Sequence, residues 1–186
     1  MRVMGVDPGL GRTGVAVVEG RPGHLAVLEA TCLEPMPQTS DAGRLAHLFQ
    51  LVLDIIDRNQ PDVAAVEQLF FSTNRRTAMR VSEARGVVLC ALGARGLPVA
   101  EYTPGQVKEA VCGYGSAHKQ QVARMAARLL GVPSLPGPDD VADACAVAVC
   151  HHHRARLTAV LSGRARNPRL DEAVARAQRR AAGATL

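Results

Sequence analysis

Tryptophan is missing from this chain, and phenylalanine and tyrosine supply only 3% of its 186 residues. Any core must therefore be packed from aliphatic side chains and alanine, in a sequence that is still 47% hydrophobic. No apolar run approaches the ~20 residues of a membrane-spanning helix, and no charged-then-apolar leader opens the chain. The expectation is a protein of the cytosol with no membrane partner. Five cysteines (Cys32, Cys90, Cys112, Cys145 and Cys150) include no CxxC pair. An odd number without that spacing argues against a disulfide framework or zinc site and fits reduced, mostly buried thiols. Lysine is scarce too, with Lys108 and Lys119 the only two.

The net charge of +5 suggests a polyanionic partner, but most of it lies at one end. From Arg164 onward six arginines face only Asp171 and Glu172, so the tail holds four of those charges. The rest of the chain is nearly neutral, and a nucleic-acid argument must rest on local clusters. By length the chain is one domain with a sizeable core. Residues 1–163 read as the folded body and 164–186 as a basic, flexible tail.

Arg2 to Asp7, Thr13 to Val18 and His24 to Glu34 read as three strands joined by short connections. A proline-rich break leads to a long helix beginning near Ser40, with Leu45, Leu48, Phe49, Val52, Ile55 and Ile56 at helical spacing. Val63 to Glu67 is a fourth strand, followed by a helix capped by Thr73 or Asn74 and running to about Ala94. Leu97 to Tyr102 is the fifth strand. Three helices follow: one from Thr103-Pro104, where proline suits the first helical position, one from Ser116 to Leu130, and one from about Asp139 to Leu161. A strand meander followed by helix–strand crossovers predicts an α/β fold, with a mixed five-stranded sheet and helices on both faces.

Gly9, Gly11 and Gly14 follow Asp7 and spell GxGxxG, the dinucleotide-binding fingerprint. That fingerprint needs a helix straight after the glycines, so that its N-terminus meets the pyrophosphate. Here they lead into a strand, so the match is accidental. The glycines are expected to form a tight hairpin that leaves space open beside Asp7.

Asp7 has company. Glu67 ends its strand as Asp7 does, and parallel neighbours would bring both to one sheet end, where ligands of open α/β sheets bind. In GPDDVADA, Asp140 and Asp143 lie three apart on one helix face, and Asp139 reads as the cap. Four converging carboxylates repel by on the order of 4 kcal/mol per pair at ~4 Å and an effective dielectric near 20. Mg²⁺, or Mn²⁺ in its place, is the natural neutralising partner. Two such ions per site can activate a water and stabilise a leaving oxygen in phosphodiester hydrolysis. Each carboxylate also has a structural alternative: hairpin amides for Asp7, an arginine for Glu67, a helix cap for Asp140.

GVDPGLGRTGVAVV, VEQLFFSTN, EARGVV, YTPGQVKEAVCGYGSAHKQQVARM and DDVADACAVA together resemble the RuvC family of Holliday junction resolvases, of ribonuclease H-like fold. The stretches run in family order from roughly Arg2 to Leu161. The resemblance implies that Asp7, Glu67, Asp140 and Asp143 are metal-binding catalytic carboxylates. It also implies a homodimer that nicks two opposed strands of four-way junction DNA symmetrically during recombination and repair. The family works with the branch-migration proteins RuvA and RuvB, and the sequence leaves open whether they dock here.

DNA contacts are expected at Phe70, Arg75, Arg76, Lys108 and Lys119. Both lysines flank a glycine-rich turn, and Lys119 sits at a helix start, where a cation opposes the dipole but suits an anion. The family's matching lysines contact DNA or the scissile phosphate. Of Phe70 and Phe71, one packs inside and the other is placed to stack on an unpaired base; the resemblance implies Phe70. Arg75, Arg76 and Arg80 suit phosphates or form a solvated helix face. His151, His152 and His153 point ~100° apart on a helix and cannot share one ion. Two rival readings stand: a non-catalytic junction-binding protein, and a phosphotransferase of the sugar-kinase and actin superfamily. The second needs another domain, for which the chain has no room.

Overall fold

In a computed structural model the chain is described over residues 1–36, 40–68 and 75–161. Three strands come first: β1 (Arg2–Asp7), β2 (Thr13–Arg21) and β3 (His24–Leu33). They are followed by α1 (Asp41–Asn59), β4 (Val63–Glu67), α2 (Arg75–Ala94), β5 (Val99–Tyr102), α3 (Pro104–Cys112), α4 (Lys119–Leu129) and α5 (Asp139–Leu161). The chain divides into two units, Met1–His153 and Arg154–Leu186. The sheet and its packed cores belong to the first; of the second, only the end of α5 is described. Among the described residues no helix is long and apolar enough to cross a membrane.

The sheet order is β3-β2-β1-β4-β5. β1 pairs antiparallel with β2 and parallel with β4, and β4 pairs parallel with β5. The central strands are near-continuous apolar runs because helices cover both faces. Met4, Val6, Val15, Val17, Ala64 and Val66 meet α1 and α2 on one side. Leu48, Val52, Ile55 and Ile56, spaced as one helical stripe, supply α1's share of that layer. Val3, Ala16, Val18 and Ala65 face the other core, built with α3, α4 and α5. Helix α5 has no polar stripe over its middle: Ala144 through Cys150 are all at most 1% exposed. A helix apolar all round is a buried one.

Several boundaries differ from the sequence reading. Strand β2 continues to Arg21, through a register irregularity at Val17/Val18 where it pairs with β3. Strand β5 starts at Val99 because Leu97 still donates its N–H to Leu92 at the end of α2. Helix α4 begins at Lys119, not Ser116, since His118 is extended at the N-cap and gives its N–H to Gln121 Oε1 at 2.9 Å. Asp139 is the first residue of α5 and not its cap; the first helical bond runs from Val141 N–H to the Pro138 carbonyl. Ser40 caps α1 through Gly43 N–H. Thr103 and Gln106 form a reciprocal capping box at α3. The expected caps Thr73 and Asn74 lie outside the described residues, as does the proposed body–tail boundary at 163/164.

Arginines tie the outer elements together. Arg95 grips Asp57 with two bonds of 2.6 Å, Arg58 pairs with Glu29, and Arg80 reaches Asp41 at 2.9 Å. Arg80, considered above for phosphate, thus joins α2 to α1.

Candidate active site

Asp7 and Glu67 follow the register-paired Val6 and Val66 as the last residues of two parallel neighbours, β1 and β4. Odd-numbered positions of both strands, Val3 and Ala65 among them, face the core beneath α5. Strand alternation turns Asp7 and Glu67 the same way. Helix α5 brings the other two carboxylates over that end of the sheet, and two glycines let it come so close. A Cβ on Gly5 would lie 2.1 Å from the Ala144 carbonyl oxygen. One on Gly14 would lie 1.9 Å from the Asp140 carbonyl oxygen. The space beside Asp7 is therefore not left open by the glycines, as the sequence reading expected. Gly14 admits the helix backbone itself. The turn before β2 is held by Thr13, whose buried hydroxyl accepts from Gly9 N–H and donates to the Gly9 carbonyl.

Electrostatics show that the four carboxylates sense one another. Burial first, then the charges of Glu67, Asp143 and Asp140, push Asp7 up to about 8, with Lys119 opposing. Burial and then Asp143 push Glu67 up to about 7, against a hydrogen bond with Asp7 and the charges of Lys119 and Lys108. Asp143 is also raised, chiefly by burial, although Lys119 bonds to it. Two groups held as acids near neutrality in one cluster mark a functional site more often than a structural one.

Two cations reach this cluster that no sequence neighbourhood shows. Lys119 Nζ lies 2.8 Å from Asp143 Oδ2 and 3.6 Å from Asp139 Oδ2. Arg12 Nε lies 3.3 Å from Asp140 Oδ2. The Arg12 approach is an ion pair without hydrogen-bond geometry, so that buried oxygen has no hydrogen-bond partner. Arg12 was missed by the sequence reading, and its only signal is a place in the turn after Asp7. A cleft of about 180 Å³ opens beside the cluster, lined by Glu67, Lys108, Lys119 and Asp143 with Pro104, Val107, Val122 and Ala146. Both predicted lysines therefore border the carboxylates.

The donor set suits a divalent hard cation: carboxylate oxygens that repel each other, one of them buried without a hydrogen bond. Among the described residues, no three His, Cys, Asp or Glu side chains are grouped closely enough to chelate one ion as they stand. The three histidines diverge as expected. His151 Nδ1 meets Tyr102 Oη at 2.9 Å, His152 Nε2 meets the Val18 carbonyl at 3.1 Å, and His153 Nδ1 meets the Ala110 carbonyl at 2.9 Å. Phe70 and Phe71 lie outside the described residues. Arg75 and Arg76 open α2, and their side chains lie outside the description as well.

Residues 3–151 match the family model described as crossover junction endodeoxyribonuclease RuvC. A protein of that name from Pelotomaculum thermopropionicum is 49% identical over 153 residues, which cover 82% of this chain and 93% of the relative. Its namesake from Desulforamulus reducens is 50% identical over 151 residues, covering 81% and 93%. Among solved structures, T. thermophilus RuvC in complex with Holliday junction substrate superposes with a TM-score of 0.81 at 36% identity. That match covers 85% of this chain and 96% of the other. The yeast mitochondrial Holliday junction resolvase, at 12% identity and a TM-score of 0.63 over 86% and 82%, shares the fold.

Proposed function

This chain belongs to the RuvC family of crossover junction endodeoxyribonucleases, and on that premise we propose how its own residues perform the family's reaction. The protein is a phosphodiester hydrolase that cleaves four-way DNA junctions in recombination and repair. Membership removes the phosphotransferase reading, and a complete carboxylate cluster speaks against a non-catalytic one. The observation that carries the residue assignment is the seating of α5 on Gly5 and Gly14. It brings Asp140 and Asp143 to the sheet end that holds Asp7 and Glu67.

Asp7, Glu67, Asp140 and Asp143 are the groups that would hold Mg²⁺ or Mn²⁺, two ions per site. The ions supply Lewis acidity that lowers the pKa of an attacking water and shields charge on the leaving oxygen. Asp7 and Glu67, both held above the ordinary carboxyl range by burial and neighbouring charge, would hold the cation in their ionised forms, which couples its binding to pH. Lys119 and Lys108 line the cleft beside them and bind the scissile strand's phosphates. Phe70, in the segment following β4, stacks on an unpaired base at the crossover, and Arg75 and Arg76 take flanking phosphates.

Two opposed nicks need two sites related by a two-fold axis, so the working form is a homodimer. The same reading extends to docking of RuvA and RuvB, tested by co-sedimentation with the junction-bound protein. Incubating synthetic four-way junctions and matched linear duplexes with the protein and Mg²⁺ tests the whole assignment. Paired symmetric nicks confined to the junction are expected. Equal cutting of both substrates, or undiminished cutting by Glu67→Gln, would reject it.

A further inference from the structure

Asp140 and Asp143 each stand against a basic side chain from a different part of the chain. Lys119, from the first turn of α4, holds Asp143 at 2.8 Å and reaches Asp139 at 3.6 Å. Arg12, from the turn between β1 and β2, stands 3.3 Å from Asp140. Their side chains are 55% (Arg12) and 53% (Lys119) exposed, whereas Asp140 and Asp143 are each only 27% exposed. The carboxylates, carried by α5, are thus the more buried member of each pair, and the cations the more exposed. The Arg12 contact leaves Asp140 Oδ2 without a hydrogen bond, so the arginine sits on a ligand atom without satisfying it. No three acidic side chains among the described residues are gathered as a chelate.

We infer that Arg12 and Lys119 are resident counter-ions of the site, positioning residues that hold Asp140 and Asp143 until a divalent cation displaces them toward the DNA phosphates. This rests on the metal-site reading above and adds a linkage to it. A divalent ion entering between the carboxylates competes with both basic groups for the same oxygens. Once displaced, each group has lost its anion, with Lys119 lining the cleft and Arg12 half-exposed in the turn before β2, and a DNA phosphate is the replacement. Phosphate held by Arg12 or Lys119 in turn vacates the carboxylates. Metal and DNA therefore strengthen each other's binding, and linkage makes the effect reciprocal.

The test uses the full chain and two binding readouts that need no turnover. Mn²⁺ affinity is measured by calorimetry without DNA for the wild type, Arg12→Met, Lys119→Met and the double variant, each checked for folding by circular dichroism. Each single variant is expected to bind Mn²⁺ more tightly, and the double more tightly still, within the roughly 5- to 150-fold range usual for coupled sites. Junction affinity is then measured by fluorescence anisotropy with and without Ca²⁺. The gain that Ca²⁺ brings to the wild type is expected to shrink in the double variant. Unchanged or weaker Mn²⁺ binding in the folded variants would overturn the inference, because a merely structural ion pair predicts that result. Loss of Mn²⁺ binding by Asp7→Asn shows separately that the metal-site reading stands. Retention there, to the wild-type level, would sink that reading and this one with it.

Discussion

Asp7 holds a proton more firmly in the folded protein than a carboxyl does in an unfolded chain, and Glu67 does the same. Their values rise from 3.8 to about 8 and from 4.5 to about 7. Between the ordinary and the raised values the folded state binds more protons than the unfolded one. Metal-free stability therefore falls as pH climbs through that window, and is greatest below the ordinary carboxyl range as far as these two groups are concerned. Asp7→Asn removes the charge that must be buried. At pH 8 with chelator the variant should be more stable than the wild type by about 1–3 kcal/mol, the scale of an uncompensated buried polar group. At pH 4 the two should nearly coincide. Urea unfolding at both pH values checks this, and equal stability at pH 8 would mean that Asp7 carries no burden. Junction cleavage should be lost in the same variant while junction binding persists. Combining it with Glu67→Gln should add little further loss, since the two serve one cluster.

At the scale of elements, the seating of α5 on the sheet decides whether the carboxylates meet. Gly5→Ala and Gly14→Ala both force a methyl into helix backbone, at 2.1 Å and 1.9 Å. Each should cost about 1–3 kcal/mol or more by overpacking, and cleavage should fall further than the loss of folded protein explains. Gly11→Ala is the control, because a Cβ there meets nothing within 4 Å and its backbone carries no positive φ. Thermal melts and single-turnover cleavage of the three variants compare them directly. The strands themselves were legible in the sequence: apolar runs ending in Asp7 and Glu67 predicted both elements and the shared sheet end. Asp140 and Asp143 were legible from their three-residue spacing. The glycines were read as turn residues alone, because nothing local to Gly14 announces a helix starting more than a hundred residues later. Arg12 and Lys119 were illegible as counter-ions for the same reason, being neighbours of the aspartates in space alone. The start of α4 was misplaced because Ser116 is a good cap by type, while the hydrogen bond from the backbone of His118 to Gln121 sets the actual one.

For the whole molecule, the proposed dimer requires a surface. Val88 and Leu92 of α2 are fully buried in the core it shares with the sheet and cannot meet a twin. The outward side of the helix carries Met79, which is 66% exposed, together with Ser82, Glu83, Gly86 and Cys90. Met79→Glu, repeated by the two-fold axis, should weaken self-association by several-fold in sedimentation equilibrium and leave the monomer folded. An unchanged dimer constant would move the interface elsewhere. The tail makes a separate contribution. Ending the chain at Gly163 removes four net positive charges. Junction affinity should then weaken mainly at low salt, with a flatter dependence of log affinity on log salt and little change in cleavage at saturating enzyme. Parallel slopes for the two chains would show that the tail is not an electrostatic arm.

Helix α5 is enclosed on every side from Ala144 to Cys150, and beyond that stretch His152 and His153 are hydrogen-bonded to the carbonyls of Val18 and Ala110. Amide hydrogens in such a segment can meet solvent deuterium only when the whole body opens. The slowest-exchanging amides of the molecule should therefore be those of Ala144 to Ala148, one turn past the aspartates. Amides around Lys119 and the glycine turn before it should exchange orders of magnitude sooner. The two halves of the site should thus keep different clocks: Asp140 and Asp143 stand beside the most persistent segment of the molecule, and Lys119 at a helix start that opens sooner. An enzyme that waits for an infrequent substrate can in this way keep its reactive groups assembled while its grip on DNA stays adjustable.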